Sequence, residues 1–180
     1  MGDGRAQRGA TPDRWLLAVA LRPQEWPRWC WAACGEMAME FLGRRVRQCE
    51  QVNMHFAGML GELDCCATPE KCQDYAGYPD FGKFGFACTE TFSPLDWEGV
   101  RAQIYGEGKP FVYSYARLGG EHMVVAVGYA ESAAGDRFLI INDPEPVDEG
   151  MVREVWYEEY ARDHLRTYCD LVNEGAKHLH

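Results

Sequence analysis

The chain has 180 residues, 47% of them hydrophobic and 13% aromatic, so disorder, collagen and coiled coil are excluded as descriptions of the whole. Its 28 acidic residues against 18 Lys and Arg give a formal charge of −10, a surface that repels phosphate backbones and anionic lipid. No stretch reaches the roughly 20 apolar residues of a membrane span.

The first apolar run, Trp15 to Leu21, follows Arg5, Arg8 and Arg14. It is too short for a signal peptide and lacks a cleavage site, so it reads as a first strand or helix behind a flexible tail. From Cys30 the positions 30, 33, 34, 37, 38, 41 and 42 are apolar, a helical pattern that stops at Gly43. A second helix is expected from about Gln48 to Leu60. Residues 61–92 read as an irregular loop dense in Gly, Pro and Cys, of a length uncommon unless functional or cross-linked. A third helix is expected over Ser93–Tyr105. Strands follow at Phe111–Tyr115, His122–Tyr129, Phe138–Asn142 and Met151–Trp156, then a short helix Tyr157–Leu165 and a last strand Arg166–Val172. Helices followed by strands make a single α+β domain. Its expected limits are 15–172, with tails at 1–14 and 173–180.

Three places carry chemistry. Cys30 opens a helix, where unpaired backbone N–H groups and the helix dipole favour an anion, and a thiol attacks as its thiolate. An isolated cysteine between tryptophans is otherwise most simply a buried apolar residue. His122 opens an apolar strand after two glycines, sharing a face with Val124, Ala126 and Gly128. The strand from Phe138 ends in Asn142-Asp143-Pro144. If the two strands are antiparallel neighbours, Asn142 or Asp143 lies beside His122 and can orient its ring. Together these fit nucleophile, base and orienter.

The run Gln24-x5-Cys30-Trp31-Ala32, the histidine on an apolar strand and the polar residue after the next strand resemble the papain-like cysteine peptidases. The compact bacterial branch is most similar, the one that includes plant-pathogen effector proteases and double-glycine leader peptidases. The segments around Cys49, Cys65-Cys66 and Cys72 resemble that branch's cysteine-containing insertion. The resemblance implies a papain-like fold, a helical part plus an antiparallel β-sheet, with a cleft between them. It implies Cys30 as nucleophile, His122 as general base and acid, and Gln24 as oxyanion-hole donor. Asp143, five residues after Phe138 and followed by proline, is implied as orienter, with Asn142 in reserve. The chain departs from papain in three ways. Pro27-Arg28-Trp29 replaces the usual residues before the nucleophile, the Cys30–His122 interval is shorter, and nothing before residue 15 reads as a propeptide.

The expected activity is hydrolysis of peptide bonds in a peptide or protein substrate by a monomer, with no cofactor, metal, nucleic acid or membrane involved. Acyl transfer to an amine at the same site is the first alternative, and a non-catalytic binding module the second. Cys34 continues the apolar stripe and reads as core rather than as a resolving thiol. Cys49, Cys65, Cys66 and Cys72 suit disulfides or free thiols better than zinc, because adjacent cysteines are a poor zinc spacing. The cysteine content suggests a secreted or delivered protein, although no convincing export signal is present. One of Trp26, Trp29 and Trp31 is expected to line the cleft. Lys177-His178-Leu179-His180 reads as a frayed tail rather than a metal site.

Overall fold

The structure is a computed structural model and describes residues 11–175. The first ten residues of the expected N-terminal tail and the Lys177–His180 segment therefore lie outside the described residues. Residues 11–13 are tied down: the carbonyls of Thr11, Pro12 and Asp13 accept hydrogen bonds from Arg101, the Tyr129 hydroxyl and Glu131 N.

Helix α1 (Cys30–Phe41) is the centre of the helical part. Trp31 through Met39 are all buried, so this helix is enclosed on nearly every side. Its only charged buried residue, Glu36, is met by Arg45 at 2.7 Å and Gln48 at 3.1 Å, as a buried carboxylate requires. The helix ends where the apolar pattern stops. Gly43, at φ 93°, takes the left-handed turn, Gly43 N donates to Glu40 O and Arg44 N to Met39 O. Helix α2 (Gln48–His55) is shorter than expected. Beyond Phe56 the chain continues as separate turns and 3-10 segments. Helix α3 (Trp97–Arg101) starts later than Ser93, because the Asp96 side chain caps Gly99 N at 2.7 Å; a π turn, Ala102–Gly106, extends it.

The sheet has seven strands in the order β2-β7-β3-β4-β5-β6, with β1 added onto β4. Their limits are β1 Arg14–Leu16, β2 Phe86–Thr91, β3 Phe111–Arg117, β4 Gly120–Glu131, β5 Arg137–Asp143, β6 Met151–Trp156 and β7 His164–Asn173. Every pairing is antiparallel. A short helix, α4 (Tyr157–Asp163), links β6 to β7. Period-two alternation gives the sheet two apolar faces. Met123, Val125, Val127 and Ile140 pack with Trp29, Met37 and the rest of the α1 side. Val124, Ala126, Leu139 and Ile141 pack with Trp97, Val100, Ile104 and Tyr160 from α3, its π turn and α4.

Two expectations are corrected. The expected loop 61–92 contains a strand, β2, whose partner β7 lies some eighty residues on. Only Phe86 of that edge strand is buried, so the alternation that signals a strand is weak there. Only Trp15 and Leu16 of the run 15–21 lie in a strand, β1. Gly128 admits it: a Cβ there would stand 2.6 Å from Trp15 O.

Candidate active site

Cys30 is the first residue of α1 and is partly exposed. The segment before it is held from several directions. Gln24 N donates to Pro144 O at 2.9 Å and Gln24 O accepts from Asp148 N at 3.0 Å, which ties this loop to the turn after β5. Trp29 is fully buried, and its indole donates to Cys72 O at 3.0 Å. Arg28 takes the left-handed conformation, φ 65°, to turn the chain into the helix. Trp31 donates to Tyr75 O at 3.3 Å and is the tryptophan of the three that lines the cleft.

His122 stands near the start of β4 and is fully buried. The register pairs Val125 with Asn142, so one diagonal step brings Asp143 to the His122 face. His122 Nε2 and Asp143 Oδ1 are 2.7 Å apart. An ionised carboxylate only accepts, so Nε2–H donates to Asp143, and Nδ1 is the nitrogen that exchanges a proton with another group. Among the described residues Nδ1 has no aligned hydrogen-bond partner, yet the Cys30 thiol lies close enough to perturb the ring. Glu145 Oε1 is 3.9 Å from Nδ1. Glu145 is itself engaged by Arg117 through two bonds of 2.5 and 2.7 Å.

The electrostatics follow from these partners. Burial alone pushes the His122 imidazolium to lose its proton; the hydrogen bond it donates to Asp143 and the nearby Cys30 sulfur outweigh it and raise the pKa to about 9. Asp143 is shifted up by burial, but His122, the Glu145 N–H and Arg153 more than offset that and hold it below the usual carboxylate range.

Gln24 is buried at the cleft. Its Nε2 donates one hydrogen to Trp26 O at 3.2 Å, and a primary amide has a second to give. Its Oε1 has no partner among the described residues. The cleft has a volume of about 1130 Å³. It runs between Trp31, Gly77 and Tyr78 on the helical side and Glu121 and Met123 on the sheet side. The Tyr78 hydroxyl donates to Glu121 at 2.6 Å and so joins the two walls.

A family model described as the Peptidase_C39 like family matches residues 16–170. The chain belongs to the Peptidase_C39-like family. Among solved structures, this family member resembles the proform of the Amb a 11 cysteine protease, a ragweed pollen allergen. That match has TM-score 0.51 and 16% identity, covering 91% of this chain and 68% of the other. It also resembles digestive procathepsin L 3 of the Tenebrio molitor larval midgut, with TM-score 0.51, 13% identity, and 91% and 71% of the two chains covered. Bromelain from Ananas comosus, in complex with the E64 inhibitor, matches at TM-score 0.45 and 12% identity, over 89% of this chain and 98% of that one. No curated protein matches. The fold is papain-like, α+β with an antiparallel sheet, and this Peptidase_C39-like chain is a cysteine peptidase by family.

Within the Peptidase_C39-like chain the structure brings Gln24, Cys30, His122 and Asp143 to one cleft. It does not bring Asn142 there, which corrects the reserve assignment. Asn142 is one residue out of phase, so it faces the α1 side and donates to Val19 O at 3.1 Å. Cys34 is fully buried in the core, where desolvation pushes its thiol well up and disfavours the thiolate. Cys49 pairs with Cys66 and Cys65 with Cys72, so the four loop cysteines are disulfide-bonded. Sequence reasoning missed Arg153 and Tyr115 beside Asp143, and the Arg117–Glu145 pair. Each is a lone polar residue on a strand or turn. Only the register of four strands brings them together.

Proposed function

We propose that this chain hydrolyses peptide bonds in a peptide or protein substrate through Cys30, His122 and Asp143, with Gln24 at the oxyanion. The observation that carries the reading is the buried His122–Asp143 hydrogen bond of 2.7 Å, which occupies Nε2 and leaves Nδ1 for Cys30. In this reading His122 Nδ1 takes the thiol proton. The thiolate, at the N-terminus of α1, attacks the scissile carbonyl. The negative charge moves to the carbonyl oxygen, where the free Gln24 Nε2–H and the Cys30 N–H donate to it. As the tetrahedral intermediate collapses, His122 gives its proton to the leaving amine. It then takes one from water, which attacks the acyl thioester and releases the acid.

The test is brief alkylation of native protein near pH 6, with the label mapped by mass spectrometry. Fast labelling confined to Cys30 and lost in His122→Ala supports the reading; a Cys30 no faster than the exposed Cys88 sinks it. With a cleavable peptide library, Cys30→Ser should abolish turnover. Product masses with added amine separate hydrolysis from amide formation, and an effect that survives Cys30→Ser points to a binding module.

A further inference from the structure

Four neighbouring strands each contribute one side chain to the sheet face around His122. Tyr115 on β3 pairs directly with His122 on β4, and its ring stands edge-on to the imidazole, centroids 5.6 Å apart. Asp143 closes β5, and Arg153 lies on β6, two residues past Met151, the partner of Asp143. The Arg153 guanidinium spans them. Its Nε donates to Asp143 Oδ2 at 3.0 Å, its Nη2 lies 2.8 Å from the same carboxylate oxygen, and Nη2 also donates to the Tyr115 hydroxyl at 2.9 Å.

The two oxygens of Asp143 have separate tasks. Oδ1 accepts from His122 and from the Glu145 N–H at 3.0 Å. The only donors recorded for Oδ2 among the described residues come from Arg153. Asp143 is 5% exposed, so water cannot readily replace that partner. Without the guanidinium Oδ2 loses its donors, and the carboxylate is held through Oδ1 alone. Two nitrogens of one guanidinium, both on Oδ2, hold that oxygen in place as a charge-assisted partner. We propose that Arg153, steadied by Tyr115, is a positioning residue that fixes the Asp143 carboxylate, and through it the His122 ring, for the Cys30–His122 pair. This inference rests on the proposed role of those three residues.

The charged and titratable groups facing His122 are Cys30 from α1, Tyr115 and Arg117 from β3, Asp143 and Glu145 at and after the end of β5, and Arg153 from β6. Removing the Arg153 cation raises the pH at which Asp143 takes up a proton, and a protonated Asp143 no longer holds the His122 ring for Cys30. This pushes the acid limb of Cys30 reactivity upward. The experiment is the rate of Cys30 alkylation by iodoacetamide from pH 4 to pH 9, mapped by mass spectrometry, on wild type, Arg153→Met, Arg153→Lys and Tyr115→Phe. Thermal melting is measured on each. Arg153→Met should move the acid limb up by about one pH unit. Arg153→Lys should recover at least half of that shift, and Tyr115→Phe should move it in the same direction by less. An Arg153→Met profile that superimposes on wild type, whatever the melting temperature does, overturns the proposal and leaves the triad standing. A wild-type Cys30 with no reactivity below pH 7 overturns both.

Discussion

His122 and His164 make a controlled comparison of what burial does to an imidazole. His164 has Thr167 as its partner at 2.7 Å, and burial lowers its pKa. His122 is more buried, yet its pKa rises from 6.5 to about 9, because Asp143 and Cys30 lie against it. A proton held more tightly by the folded than by the unfolded chain stabilises the fold wherever it is bound. The contribution of His122 is therefore complete below pH 6.5 and is lost as pH rises toward 9. The rise of 2.5 units, at about 1.4 kcal/mol each, makes that contribution about 3 kcal/mol. For a domain of this size it corresponds to about 10 °C in Tm. The perturbation is His122→Asn, which removes the titration. Urea unfolding of wild type and variant, with disulfides intact, would be measured from pH 5.5 to pH 9.5. The stability difference, wild type minus variant, should be level up to about pH 6 and fall by about 3 kcal/mol by about pH 9. A difference that stays level across this range, or that rises with pH, would show that desolvation outweighs the carboxylate and would refute the reasoning.

Gln24→Ala should lower kcat by about 10²–10³ with little change in KM, because the lost donor serves the transition state; steady-state kinetics on any cleaved peptide reads this. Asp143→Ala should reduce activity by orders of magnitude, whereas Asn142→Ala should cost about 1–2 kcal/mol of stability through its lost bond to Val19 O and leave the pH profile unchanged. Parallel melts and pH–rate profiles separate the two neighbours, and equal kinetic damage from both would contradict the strand alternation. Gly128→Ala should destabilise the protein by about 2 kcal/mol or more. Its Cβ meets the backbone oxygen of Trp15 at 2.6 Å, which must push β1 off β4, and hydrogen exchange at Leu17 N, bonded to Val127 O at 2.8 Å, should report it.

The candidate site was legible where chemistry and local structure coincide. Cys30 marks itself by opening an apolar helix just after Pro27-Arg28-Trp29, and His122 by opening an apolar strand. Asp143 could be placed beside His122 because consecutive antiparallel strands bring an end next to a beginning. The one-residue choice against Asn142 needed the register, since a slip of one turns a side chain to the other face. Arg153 was not legible: in Met151–Trp156 it is one charge among alternating residues, and nothing local says which neighbour it reaches across. Strand β2 was hidden for the same reason, its pairing with β7 being entirely non-local. The four loop cysteines allow three pairings, and only the path of the loop around Asn53 and Asp64 selects one.

The two disulfides give the enzyme contradictory redox requirements. Cys30, the proposed nucleophile, is a free thiol, and a thiol attacks only when reduced. Gly77 and Tyr78 of the cleft wall follow closely on the segment that the Cys49–Cys66 and Cys65–Cys72 bonds staple together, and the Trp29 indole donates to Cys72 O within that segment. Strong reductant in an assay buffer therefore protects the nucleophile while it loosens the surface against which substrate must lie. Oxidant does the reverse. Activity should be greatest in a window of intermediate thiol–disulfide potential, and material made in a reducing host needs its wall oxidised before its nucleophile can be judged.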